Sequence, residues 1–300
     1  MCFSLSHAAA KKAVGRQSSL AIWYYVHVSN LENRPVVAVI PHYNMPQTLV
    51  PLLKQVVAQQ YDAVYVLDDC STVCDVKDVV APFGSTISLI AGSENRGAGA
   101  NRNRILGANL GGAILHFIDA DCELVSQEIP AAARKLLGDP QIGLVVGLVL
   151  NANGTQYADN YNPRLSALHG VSVRLHGWIA TLAQRNPNKA QRLRRTFRRM
   201  LAGYPDTLAT PQAQDMFAGS EANTLILYDT FAAIGGFDEK LRYLEAQDVG
   251  YKLQARHLKS RFDPSIVVRH HAVDVREKVR SFGQAASAYR IARKHGLPLR

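Results

Sequence analysis

Gly112-Ala113-Ile114-Leu115-His116-Phe117-Ile118-Asp119-Ala120-Asp121 reads as a strand buried on both faces that ends abruptly in two carboxylates. In open α/β sheets, ligands bind where strands run out at their carboxyl ends. Two carboxylates at i and i+2 beside a core repel each other unless a cation joins them. Hard oxygen ligands suit Mg2+ or Mn2+, shared with substrate phosphates. Taken alone, the same residues also fit a solvated acidic turn.

Outward from this stretch, strand and helix patterns alternate. Val36 to Ile40 is an apolar run rich in β-branched residues and reads as a central strand that Pro41 ends. Leu49 to Gln60 carries apolar residues at helical spacing. Ala63 to Leu67 is a second strand, closed by Asp68-Asp69. Ser71 and Thr72 can cap a helix running through Val80. Ile87 to Ile90 is a third strand, Ala98 to Leu110 a helix, and Ala113 to Ile118 the fourth strand. A helix near Ile129 to Leu137 leads to a strand from Ile142 to Leu150. This βαβ rhythm implies a parallel sheet with right-handed crossovers.

The second half is less regular. Asn151 to Asn162 reads as a loop and Pro163 to Leu182 as an amphipathic helix. Gln191 to Met200 is a strongly basic helix, read as a solvated face, an anionic lipid surface or a site for an acidic acceptor. Gly203 to Asp215 is a loop, Asn223 to Leu227 a strand, Ser265 to Arg269 a short strand and Asp274 to His295 a basic C-terminal helix.

The chain has 300 residues, with 34 Lys and Arg against 24 Asp and Glu, a formal charge of +10. That excess favours an anionic partner. The cysteines, Cys2, Cys70, Cys74 and Cys122, form no paired motif with nearby histidines, which argues against a structural zinc. So few cysteines in a long chain fit a reducing compartment. No apolar run reaches the ~20 residues that a membrane helix needs. Leu20 to Val28 follows Lys11, Lys12 and Arg16 but lacks a cleavage pattern, and reads as a strand or helix packed on the domain.

Four more constellations fall at the ends of these elements. Asp68-Asp69 follows the second strand, where a carboxylate can accept hydrogen bonds from a ribose or a uracil ring or simply cap a turn. Pro41-His42-Tyr43-Asn44 offers an aromatic ring and backbone groups to a base. Asn95-Arg96-Gly97 joins the third strand to a helix, and an arginine with a glycine turn there suits an anion. It is neither a Walker A loop nor a dinucleotide fingerprint. Glu245-Ala246-Gln247-Asp248 opens a helix, placing its carboxylates at the positive end of the dipole.

Together these residues resemble the inverting nucleotide-sugar glycosyltransferases of the GT-A fold, family 2, over about Val36 to Arg290. Val39-Ile40-Pro41-His42-Tyr43-Asn44 is similar to the opening strand and nucleotide-contacting turn. Leu67-Asp68-Asp69-Cys70-Ser71-Thr72 is similar to an Asp-Asp-Gly-Ser-Thr element, with Cys70 in place of glycine. Asp119-Ala120-Asp121 is similar to the DxD metal motif, Gly235-Gly236-Phe237-Asp238-Glu239 to the turn near the acceptor, and Val267-Val268-Arg269-His270-His271 to a strand followed by a metal-binding histidine.

The resemblance implies an α/β GT-A fold: a Rossmann-like, mostly parallel sheet flanked by helices, with a helical insertion and a C-terminal helix. It divides the chain into an N-terminal extension (1–34), a nucleotide-sugar-binding half (35–150), an acceptor-binding half (151–275) and the C-terminal helix (276–300). It implies a UDP-sugar or related donor held by Pro41, Tyr43, Asn44, Asp69, Asn95, Arg96 and Asp119. It implies Mn2+ or Mg2+ on Asp121 with His270 or His271, and Asp119 on the ribose or on the metal through water. Asp248 is the implied general base. Gln247 stands where a first acid is usual, and Glu245 is open as its replacement.

The implied acceptor is a hydroxyl of a glycan, a lipid-linked molecule, a small molecule or a protein. The expected location is the cytoplasm, with a peripheral contact to the inner, anionic membrane face left open. Three alternatives compete. A sugar nucleotidyltransferase would carry a glycine-rich basic loop after the first strand, which Pro41 to Met45 is not. A nucleic-acid module would interleave aromatics with its basic residues, and Arg192 to Arg199 has only Phe197, so no nucleic acid is expected. A catalytically degenerate nucleotide-sugar-binding protein is the third, prompted by Gln247.

Overall fold

A computed structural model describes residues 33–166, 169–204, 206–272 and 280–298. The stretch Leu20 to Val28 and the segment before Arg280 lie outside these residues.

The first half builds as its apolar runs dictate. β1 (Val36–His42) is buried along its whole length. It lies between β2 (Ala63–Asp68) and β4 (Ile114–Ile118), parallel to both, with β3 (Ile87–Ala91) parallel on the outer side of β2. Alternate residues of β1 enter different cores. Val36, Ala38 and Ile40 pack under α1 (Pro46–Ala58), while Val37 and Val39 join Leu115, Phe117 and Phe231 on the other face. α1 buries Leu49, Leu52, Leu53 and Val56, one helical stripe. Each fully buried large side chain of this kind contributes about 1.5–3 kcal/mol.

Past β4 the sheet changes character. β8 (Asn223–Leu227) pairs antiparallel with β4 and with β6 (Ile142–Asn151). β6 runs parallel to β9 (Lys259–His270), and the short strands β5 (Cys122–Leu124) and β7 (Gln214–Met216) pair antiparallel with β9. The order is β3-β2-β1-β4-β8-β6-β9-β5, with β7 also on β9, in one nine-stranded sheet. Both expected halves of the chain therefore share a single sheet.

The remaining helices are α2 (Val76–Val80), α3 (Ala98–Asn103), α4 (Ile129–Leu136), α5 (His169–Arg185), α6 (Pro187–Thr196), α7 (Tyr228–Ala233), α8 (Glu245–Gln254) and α9 (Arg280–Lys294). α5 and α6 form an insertion with a small core of its own, Ile179, Ala183, Ala190, Leu201 and Tyr204. Asn186 caps α6 by accepting from the Lys189 amide, with Pro187 at the first helical position.

Several elements depart from the sequence expectation. Pro41 and His42 extend β1 rather than ending it, and α1 starts at Pro46, three residues early. Asp75, not Ser71 or Thr72, caps α2; Ser71 is instead taken by Asp68. The helix expected from Ala98 to Leu110 is one α-turn followed by a 3-10 segment, Arg104–Ala108. α5 begins at His169, not Pro163, and the basic helix starts at Pro187 and stops at Thr196. β9 is twelve residues rather than five. Its early, polar part is interrupted by a register shift between Asp263 and Val267, where a bulge tolerates Pro264.

Candidate active site

The carboxyl ends of β1, β2 and β4 meet the start of β8 and the end of β9. Asp119 lies just past β4, its amide 3.4 Å from the Ala222 carbonyl. The Cys122 amide donates back to the Asp119 carbonyl, so Asp119 to Cys122 is a tight turn. That turn aims Asp121 at the last residues of β9. Cys122 pairs with His270 in register, and the His271 amide donates to the Asp121 carbonyl at 3.0 Å.

His270 Nε2 lies 3.1 Å from Asp121 Oδ1. His271 turns away, 3.6 Å from Glu123 and 42% exposed. Of the two histidines, the structure brings His270 to the aspartate. Ligand atoms of Asp121, Cys122 and His270 all lie within 4.8 Å of one another. Burial, then the charges of Asp119 and Asp121, push the Cys122 thiol well up. The donor set facing a cation is therefore a carboxylate and an imidazole, which fits Mn2+ or Mg2+ better than a thiolate-seeking metal.

Asp119 takes a different partner. Its Oδ1 is 2.5 Å from the buried guanidinium of Arg102. Burial works against the charge of Arg102, but Asp119, Glu221 and Glu245 outweigh it and raise its pKa.

Asp69 builds the neighbouring turn. Its carboxylate is buried and accepts from the amides of Arg96 at 3.0 Å and Gly97 at 2.7 Å, and from Arg104 at 3.0 Å. Gly97 has φ +88°, a conformation that a side chain resists. Asp68 faces the other way, to His42 Nδ1 at 3.1 Å and Ser71 Oγ at 2.6 Å. Asn44 holds the Ser71–Val73 turn, accepting from Thr72 N at 2.7 Å, while Tyr43 is half-buried beside it and Asn95 is exposed. A cleft of about 300 Å³ adjoins these turns, lined by Asp68, Ser71, Cys74, Lys77, Leu89 and Ala91 among others.

The Gly235–Glu239 turn is clamped onto the same place. Asn103 bonds both the amide and the carbonyl of Phe237, and Glu239 meets Arg96 at 2.5 Å. Motifs more than a hundred residues apart in sequence thus form one rim.

Asp248, the expected base, lies about one turn past Glu245 on α8. Its side chain is fully buried and bonded to His295 Nε2 at 2.8 Å, Lys294 Nζ at 2.9 Å and Lys252 Nζ at 3.0 Å. Burial works against its charge, but the hydrogen bonds from His295 and Lys294 and the charge of Lys252 outweigh it and lower its pKa. His295, Lys294 and Lys252 thus surround the carboxylate that the resemblance implies as the base, at the junction of α8 and α9.

Sequence reasoning missed Glu221. It precedes β8 next to Asp119, is half-buried, and has its pKa pushed up to about 7 by burial and then by the charge of Glu245. Glu245 opens α8, near Gly99 of α3. No local motif marks Glu221; only its position two residues before the strand that pairs with β4 could have drawn attention.

Residues 37–171 match the family model described as glycosyl transferase family 2. This segment belongs to that family. None of the curated proteins matches the chain by sequence. Among solved structures, GalNAc-T7 with UDP, GalNAc and Mn2+ superposes with a TM-score of 0.60 at 16% identity, over 87% of this chain and 48% of that one. The mannosyltransferase PcManGT from Pyrobaculum calidifontis, in complex with GDP-Man and Mn2+, gives 0.53 at 17% identity, over 96% and 74%. S. aureus TarS 1-349 in complex with UDP gives 0.51 at 14%, over 79% and 60%. At such identities the likeness is one of fold, and that fold is GT-A. The chain spans about half the length of the GalNAc-T7 chain it matches.

Proposed function

We propose that the protein transfers a sugar from a nucleoside-diphosphate sugar, UDP-linked in the first instance, to an acceptor hydroxyl with inversion at the anomeric carbon. The observation that carries this reading is the meeting of Asp121 with His270, 3.1 Å apart, beside the Asp119–Arg102 pair and the turn that Asp69 holds.

In this reading Asp121 and His270 hold a divalent cation. When bound, it supplies charge neutralisation for the departing diphosphate. Asp119, oriented by Arg102, faces the donor ribose or a metal-bound water. Pro41, Tyr43 and Asn44 contact the base, and Asn95 and Arg96 line the turn beside it. Asp69 is a positioning residue that keeps that turn in shape.

The proton acceptor is the Glu221–Glu245 pair. Burial and then the charge of Glu245 push the Glu221 carboxyl up to about 7, and a base with a pKa near the working pH is effective. The acceptor oxygen, once deprotonated, attacks the anomeric carbon opposite the leaving diphosphate, and that single displacement inverts it.

A second reading is favoured by the enclosure of Asp248: a protein that binds nucleotide sugar without transferring it. Calorimetry with UDP and Mn2+, together with a UDP-sugar hydrolysis and transfer assay, separates the two. Asp121→Ala should abolish metal-dependent nucleotide binding and turnover while leaving the circular dichroism spectrum unchanged. Full turnover in excess chelator would sink the metal assignment, and binding without any turnover would establish the second reading.

A further inference from the structure

Between Asp159 and Asp206 the chain has nine Lys and Arg and no Asp or Glu, so this insertion carries nearly all of the formal +10 charge. Eight of the nine are exposed. The ninth, Arg194, bonds the Tyr204 carbonyl and pairs with Asp206 at 3.8 Å. Among the described residues, Lys189, Arg192, Arg195, Arg198 and Arg199 have no acidic partner within salt-bridge distance.

The helix carrying the other exposed stripe is not purely polar. α5 turns Ile179 and Ala183 into the small core it shares with α6. Its opposite face carries Val171, Arg174, Trp178 and Arg185, with Val171 54% and Trp178 53% exposed. A large aromatic flanked by arginines on the outer face of a helix is the pattern of a segment seated in a lipid headgroup layer.

We propose that the α5–α6 insertion docks on an anionic phospholipid surface, with Trp178 at the headgroup level and the Arg192–Arg199 run over the acidic lipids. Charge complementarity selects this occupant. Clusters of four to eight basic residues bind acidic bilayers, with each near-surface charge adding to the affinity. A nucleic acid is the weaker fit, because aromatics do not interleave with the basic run. The proposal concerns attachment and stands whether or not the site transfers sugar.

The test is co-sedimentation of the full chain with vesicles of phosphatidylcholine alone or with about a third phosphatidylglycerol, an acidic lipid. Binding should require phosphatidylglycerol and weaken as salt rises. Replacing Arg192, Arg195, Arg198 and Arg199 by Gln should lower the partition coefficient by about tenfold to a thousandfold. Trp178→Ala should lower it by about tenfold and leave the salt dependence unchanged. Circular dichroism checks both variants for folding, and the salt dependence of the native chain tests the proposal without any variant. Equal binding to both vesicle types overturns the proposal. So does an unaltered quadruple variant, or tight binding to an RNA duplex with none to vesicles.

Discussion

Glu221 and Glu245 are the residues whose chemistry most directly sets the rate in the proposed reaction. Desolvation, and then the charge of Glu245, pushes the Glu221 carboxyl up to about 7. A base works only when deprotonated, so kcat/KM should rise with pH through about 7 and fall away below it. Glu221→Gln should lower kcat by about 10²–10⁴-fold and remove that acid limb, whereas Glu245→Gln should move the limb to lower pH, and UDP affinity should change little in both. A pH–rate profile of each variant is the measurement; an unchanged profile in both would exonerate the pair.

His116 poses a separate residue-scale question, of stability. It is fully buried in β4, 2.7 Å from Tyr61 Oη and 2.8 Å from Asn223 Oδ1. The Asn223 amide nitrogen already donates to two carbonyls, so its oxygen faces His116 and accepts from Nε2. Nδ1 then accepts from the Tyr61 hydroxyl, and the ring is neutral. Burial lowers its pKa to about 4. The folded pKa lies below the unfolded value, so its contribution is full above about pH 6.5 and is lost as pH falls toward 4. The loss amounts to about 3 kcal/mol. Urea titrations should show that slope in the native chain and a flatter one in His116→Gln; equal slopes would mean that other groups carry it.

At the scale of elements, Asp248 joins α8 to α9. Lys252 lies one turn along the same helix, while Lys294 and His295 come from the end of α9. Removing one member of a buried charged cluster typically costs about 3–5 kcal/mol. Asp248→Asn should therefore lower unfolding stability by about that much, with nucleotide affinity retained in whatever fraction is folded. Denaturant titration beside calorimetry distinguishes this from a catalytic defect.

The same elements divide by how readable they are in sequence. β1, β2 and β4 are continuous apolar runs buried on both faces, and the acidic residues at their ends follow directly from that pattern. β5 and β7 are three residues each, too short to show any period. The first part of β9, Lys259-Ser260-Arg261-Phe262-Asp263-Pro264, is disguised by charge and a proline that a bulge accommodates. At the site, Asp121 and His270 were readable as strand ends. The place of Asp248 in the first turn of a helix was readable, but Lys294 and His295, which pack over it from α9, were not. Glu221 was invisible because its partners come from β4, α3 and α8, far off in sequence.

At the scale of the whole molecule, the sheet has deep cores on both faces, whereas the α5–α6 insertion rests on five buried residues. Local opening follows buried apolar contact. Amides of residues 170–196 should exchange at least about a hundredfold faster than those of β1 and β4, as read by native-state hydrogen exchange. Comparable protection in both regions would mean that the insertion unfolds only with the sheet. The antiparallel placement of β8 has a further consequence, for synthesis. The edge of β4 that β8 covers must wait for about a hundred more residues to leave the ribosome, roughly 5–20 s at ordinary elongation rates. Throughout that interval Ile114-Leu115-His116-Phe117-Ile118 is an uncapped apolar edge, the kind of surface that recruits chaperones and seeds aggregation. The pairing that brings Glu221 beside Asp119 thus leaves a fully buried strand of the nascent chain waiting for its neighbour.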